Sequence, residues 1–190
     1  ALLVTCCMWQ VSAQTTTSPP MTTTVDISGV QTFDGPGDAS NTNLTALLDE
    51  FAATTGCVNP VLTATGIGFD VNQSSFGGSW LSEMNIGFDF DQNGVNDENV
   101  APSSTGSPGT NEANSSGGIN PITPFVIDNA LAGSIDLEFF ESFVDAANAA
   151  EGVFNTGTVT IEYTLTCDIV APAGASCASD AMTPSVPVAI

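Results

Sequence analysis

"TVTIEYTLTC", residues 158–167, alternates without a break: Val159, Ile161, Tyr163, Leu165 and Cys167 on one parity, Thr158, Thr160, Glu162, Thr164 and Thr166 on the other. A period of two over ten residues predicts a half-buried strand with one face in water, the habit of antiparallel sheets. Each large apolar side chain fully buried on such a strand contributes roughly 1.5–3 kcal/mol, so this row outweighs any surface charge. "WLSEMNIGFDF" (80–90) repeats the pattern. Trp80, Met84, Ile86, Phe88 and Phe90 share one parity, interrupted by Ser82, while Glu83, Asn85 and Asp89 take the other. On that parity Trp80 is expected inside. "TATGIGFDV" (63–71) and "SIDLEFFESF" (134–143) are further expected strands, and "VDISGV" (25–30) the first one. The fold class that follows is all-β, an antiparallel β-sandwich. One short helix is added over "LTALLDEFAATTG", where Leu44, Leu47, Leu48 and Phe51 fall at helical spacing and Gly56 closes the run.

The chain has 190 residues, 21 acidic side chains and no Lys, Arg or His, for a formal net charge of -21. An apolar fraction of 42% still supplies a core, which argues against global disorder. Cation-free composition excludes whole classes of function. Nucleic-acid binding needs groups that displace phosphate counterions, and an anionic membrane surface repels this chain. Ser-His-Asp triads, Cys-His dyads and lysine Schiff bases cannot be built. Carboxylates, hydroxyls, thiols, backbone groups and bound cations are what remain.

Residues 1–13 read as a truncated secretory signal: "ALLVTCCMW" is apolar, and Val11 and Ala13 sit at the −3 and −1 places of a small-residue cleavage site. Alternatives are a buried N-terminal strand and a lipoprotein with Cys6 as the modified residue. Residues 14–24 are expected as a Thr/Pro linker, 25–170 as the sandwich domain and 171–190 as a spacer tail. The localisation expected is secreted, extracellular or cell-surface. Export permits disulfides. Cys57, Cys167 and Cys177 remain after the signal, an odd number giving one bridge and one free thiol. Geometry decides the pair, and the nine-residue loop between Cys167 and Cys177 favours those two. The motif N-x-[ST] occurs at Asn43, Asn72 and Asn114 and matters only in a host that glycosylates.

"TGIGFDVNQSSFGGSWLSEMNIGF" resembles the strand pair of proprotein-convertase P domains, and "GSIDLEFFESFVDAANAAEGVFNTGTVTIEYTLTC" resembles their closing hairpin. The same pattern is similar to uncharacterised bacterial secreted proteins that carry "SWLSE". This resemblance covers about half the chain and implies a jelly-roll sandwich of the galactose-binding-like kind. Such modules stabilise, adhere or bind glycans, and often carry structural calcium. No protease is attached here, and residues 88–98 are an insertion relative to the family.

That insertion, "FDFDQNGVNDE", is the candidate site. Asp89, Asp91 and Asn93 alternate, Gly94 sits at the turn, and Asp97 occupies the ninth place of a calcium-loop register. Glu98 or Asp70 is expected to complete the shell, because Val100 stands where a full EF-hand has its bidentate Glu. The metal ligands expected are therefore Asp89, Asp91, Asn93, Asp97 and Glu98, with calcium as the cofactor at an affinity of about 0.1–1 mM. A solvated turn is the competing view, since Asp, Asn and Gly also build turns. The density of charge favours the cation, because neighbouring carboxylates repel and the protein offers nothing to relieve them.

Three functions follow. First is a non-enzymatic surface, matrix or adhesive module stabilised by divalent cations. Second is a carbohydrate-binding module whose loops 34–42 and 101–121 hold the ligand. Third is a glycoside hydrolase run by two acids about 5–5.5 Å or 6.5–9.5 Å apart, with Glu138 and Glu141, or Glu83 and Asp70, as the pairs. Expected partners are glycans or further copies of the chain, pairing through Thr-rich edge strands.

Overall fold

A computed structural model of the chain describes residues 14–48, 57–127, 133–143 and 149–169. Among these the structure is almost wholly β, with one single-turn 3-10 helix, Leu81–Glu83, and no helix long and apolar enough to cross a membrane. The strands are β1 (Gln14–Thr17), β2 (Met21–Asp26), β3 (Gln31–Thr32), β4 (Thr42–Leu47), β5 (Cys57–Ser75), β6 (Met84–Asp89), β7 (Glu98–Val100), β8 (Asn111–Ser115), β9 (Asn120–Ile127), β10 (Ser134–Glu141) and β11 (Gly152–Ile169).

Two antiparallel sheets form. In the larger, β11 pairs along one edge with β1, β2 and β3 and along the other with β5, which carries β8 and β9 on its far side. The smaller runs β4-β10-β6-β7. Counting β1–β3 as one interrupted strand and β8–β9 as another, the chain alternates between sheets in the order of a jelly roll, a double Greek key of eight strands. The sandwich expected from the alternation is what is found. Its core is the apolar parity of each strand: Val159, Ile161 and Tyr163 of β11 face Ile86 and Phe88 of β6 and Ile135, Leu137 and Phe139 of β10. Phe139 meets Phe154 edge-to-face at 5.7 Å between centroids, the favoured geometry for two rings.

Several sequence expectations are corrected. The stretch read as a linker, 14–24, is β1 and most of β2, both zipped to β11; Thr15 opposes Asp168 and Thr23 opposes Ile161. Low apolar content misleads there, because these edge strands bury little and are held by main-chain bonds. The helix expected from Leu44 is strand β4 up to Leu47, its alternation set by pairing with β10; Asp49 to Gly56 lie outside the described residues. Trp80 is 44% exposed rather than inside, since the 3-10 turn at 81–83 breaks the period and gives the buried place to Leu81. Strand β6 has no wet face: all six residues are buried, the outward ones beneath loops. Residues 101–121 are not one loop, because β8 pairs with β5 from within them.

The resemblance to P-domain hairpins does not extend to pairing. β5 and β6 lie in opposite sheets, as do β10 and β11. Cys167 bonds Cys57, not Cys177. The antiparallel pairing of β5 with β11 sets Cys57 opposite Ile169 and brings the two cysteine Cα atoms to 5.2 Å, so register overrides loop length. Cys177, the signal at 1–13, the tail from 171 and the cysteine at 6 lie outside the described residues.

Candidate metal centre

Strands β6 and β7 pair with Phe88 opposite Glu98, which makes residues 90–97 the loop of a hairpin at the edge of the smaller sheet. Two left-handed residues bend it, Gln92 at φ 54° and Gly94 at φ 85°. Glycine pays no steric cost in that conformation, and Gln92 is fixed in it by donating from Nε2 to Ser134 Oγ at 2.7 Å.

The loop's acids turn inward. Asp89 Oδ1 accepts from Asn93 N at 3.1 Å and its Oδ2 from Gly94 N at 2.7 Å. Asp91 Oδ1 accepts from Asn93 N at 3.2 Å and Oδ2 from Asn93 Nδ2 at 3.0 Å. Asn93 Oδ1 takes the Val95 N–H at 2.8 Å, and Asp97 Oδ2 takes that of Phe90 at 2.8 Å. Backbone donors thus replace the missing cationic side chains in shaping the loop. As a consequence, one carboxylate oxygen from each of Asp89, Asp91 and Asp97 falls within 4.8 Å of the other two. Two oxygens across one Ca²⁺ can be at most roughly 5 Å apart, twice its 2.3–2.6 Å bond length, so the spacing fits a shared ion. Glu98 and Asp70 are not part of this group; Glu98 leaves the loop as the first residue of β7, and Asp70 lies in the other sheet. Burial pushes the Asp89 carboxyl above its usual range, and its neighbour Asp91 adds to this, while the Gly94 and Asn93 amides pull the other way.

Beside the hairpin, the outer face of β4, β10 and β6 floors a cavity of about 370 Å³, walled by residues 37–39 and by Gly94 and Asn96. Asp136 stands directly opposite Asp89 across the strands, a like-charge pairing that costs stability unless a cation or proton intervenes. Glu138, 9% exposed, is the strut of this face. Its Oε1 accepts from Gly37 N at 2.7 Å and Asn41 Nδ2 at 2.8 Å, and its Oε2 from Asn96 Nδ2 at 2.7 Å, tying the 34–41 loop to the hairpin. Gly87 lies beneath Asn96, where a Cβ would come within 2.3 Å of Nδ2. Asp136 and the strut role of Glu138 were missed from sequence, although "SIDLE" puts both on the polar parity.

The acid pairs considered for hydrolysis do not face one another along a cleft. Glu138 points outward, whereas Glu141, of the opposite parity, is fully buried and accepts a short hydrogen bond from Thr32 Oγ1. Glu83 accepts from the Trp80 amide at 2.8 Å, and Asp70 belongs to the larger sheet.

No family model and no curated protein matches the chain. Among solved structures it is similar to chains from infectious bursal disease virus. The Gx strain structure gives a TM-score of 0.35 at 11% identity, over 83% of this chain and 38% of that one. The virus's T13 particle gives 0.37 at 14% identity, over 90% and 40%. The VP2 subviral particle gives 0.35 at 12%, over 90% and 42%. The chain thus spans about two-fifths of these viral chains, and likeness at that level carries no information on activity or assembly.

Proposed function

We propose that this chain is a secreted, non-enzymatic β-sandwich module of a cell surface or extracellular matrix, with calcium held by its 89–97 hairpin. The observation that carries the reading is the convergence of Asp89, Asp91 and Asp97 on one focus in a chain with no cationic side chain. Asn93 Oδ1 and the Val95 carbonyl stand at the fifth and seventh places of the loop and would add two more oxygens. Export is supported by the signal-like residues 1–13 and by the Cys57–Cys167 bridge, since disulfides persist in oxidising compartments. The finer kinship, to P-domain-like modules of the galactose-binding kind, rests on the quoted sequence stretches alone.

Thermal melts in EDTA and then in 10 mM Ca²⁺ test it. With an affinity of about 0.1–1 mM, the ion adds about 1.4–2.7 kcal/mol, which raises the midpoint by roughly 3–10 °C. An unchanged midpoint contradicts the cation role. A second reading, a carbohydrate-binding module, is favoured by the cavity on the smaller sheet, one wall of which is the 34–42 loop expected for it. One saturable ligand on a glycan array would establish that reading.

A further inference from the structure

Asn93 is the one asparagine of the sequence that is followed by glycine. No Cβ therefore shields the Gly94 nitrogen from the side-chain amide before it. The hairpin goes further than permitting this approach. Asp89 Oδ2 accepts the Gly94 N–H at 2.7 Å, the place a general base must occupy to draw that proton. The Val95 N–H donates to Asn93 Oδ1 at 2.8 Å, so it polarises the Asn93 amide and faces the oxygen on which negative charge develops. Asp91 Oδ2 accepts from Asn93 Nδ2 at 3.0 Å and holds the amide in place.

We infer that Asn93 is a self-modification site, at which the hairpin deamidates itself through a cyclic imide when no cation fills it. The Gly94 nitrogen gives its proton to Asp89 and bonds to Asn93 Cγ. The Cγ–Nδ2 bond breaks, and ammonia leaves with that proton. Water then opens the five-membered imide at either carbonyl, giving Asp or isoaspartate at 93. Net, one ammonia is lost and one water is gained, and no oxidant or reductant is needed. The isoaspartyl product inserts a methylene into the main chain between Asp89 and Asp97, which takes the two carboxylates out of register.

Cyclisation itself follows from the hydrogen bonds; its control rests on the calcium reading proposed above. A divalent ion engages the Asp89 oxygens and so removes the base, and by binding Asn93 Oδ1 it holds the side-chain amide in the ligand shell, away from the Gly94 nitrogen. The hairpin then works as a one-way clock, in which copies deprived of the ion forfeit their site.

The test is peptide mapping by mass spectrometry after incubating the full protein at neutral pH, one portion in EDTA and one in Ca²⁺. Asn93 should deamidate in EDTA before Asn114, Asn155 or any other asparagine. It should be several-fold slower in Ca²⁺, and the aged EDTA portion should lose its calcium-dependent rise in melting midpoint in proportion to isoaspartate formed. Asn93→Gln, whose longer side chain closes a six-membered ring slowly, should show no mass change at 93. An unmodified Asn93 beside other reacted asparagines overturns the inference. Equal rates in both portions overturn the clock if Ca²⁺ raises the midpoint of fresh protein. If Ca²⁺ leaves that midpoint unchanged, the calcium reading fails, and the EDTA portion still decides the chemistry at Asn93.

Discussion

At the scale of single residues, Asp89 sets the balance of the hairpin. Burial raises its carboxyl pKa in the folded state. A raised folded value stabilises the fold while the group stays protonated, and that contribution is lost as pH climbs through it. Asp26, Asp38, Glu112 and Asp168 behave oppositely. Hydrogen bonds from Ser28, Ser40, Thr105 and Asn59 respectively lead in lowering them, so their support is lost as pH falls. With calcium at the hairpin as proposed, the ion and protons would compete at Asp89. The gap between melting midpoints in Ca²⁺ and in EDTA should widen from acid to neutral pH and close in acid. A gap independent of pH would place the ion elsewhere. The acidic cluster was partly legible in sequence, because spacing fixes Asp89, Asp91 and Asp97 on one loop. Glu98 was not, because a residue's neighbours across a hairpin depend on where pairing resumes, and β7 claims it.

Among the elements, strands declared themselves where pairing and pattern agree. β11 and β10 read plainly. β4 did not: its leucines suit a helix, and only the ladder to β10 makes them a strand. The 3-10 turn at 81–83 shifted Trp80 by breaking a period that the flanking residues keep. Coverage of the outer face of β6 was equally hidden, since glycine at 87 carries meaning only once Asn96 is seen above it. Gly87→Ala tests that coverage. The new methyl evicts Asn96 from its bond to Glu138, a carboxylate hydrogen bond lost in a crowded site, at a cost of about 1–3 kcal/mol. Urea unfolding should show a lower midpoint with an unchanged slope. Wild-type stability in this variant would mean that the hairpin rests loosely on the sheet.

For the whole molecule, the Cys57–Cys167 bridge joins the two longest strands across a separation of 110 residues. Loop-closure entropy gives such a bridge about 4–5 kcal/mol of stabilisation. Replacing both cysteines by Ala should lower the melting midpoint by roughly 10–20 °C; a shift of a degree or two would contradict a stabilising bridge at this place. The net charge of -21 acts on the same scale, pushing every part of the sandwich from every other and leaving imported cations as the available relief. A crystal grown in calcium, or in a heavier lanthanide substitute, measures that relief directly through its anomalous difference map. A peak bonded by Asp89, Asp91 and Asp97 at about 2.3–2.6 Å is the expected result. A map without density between them, in crystals where the ion is seen elsewhere, would contradict it.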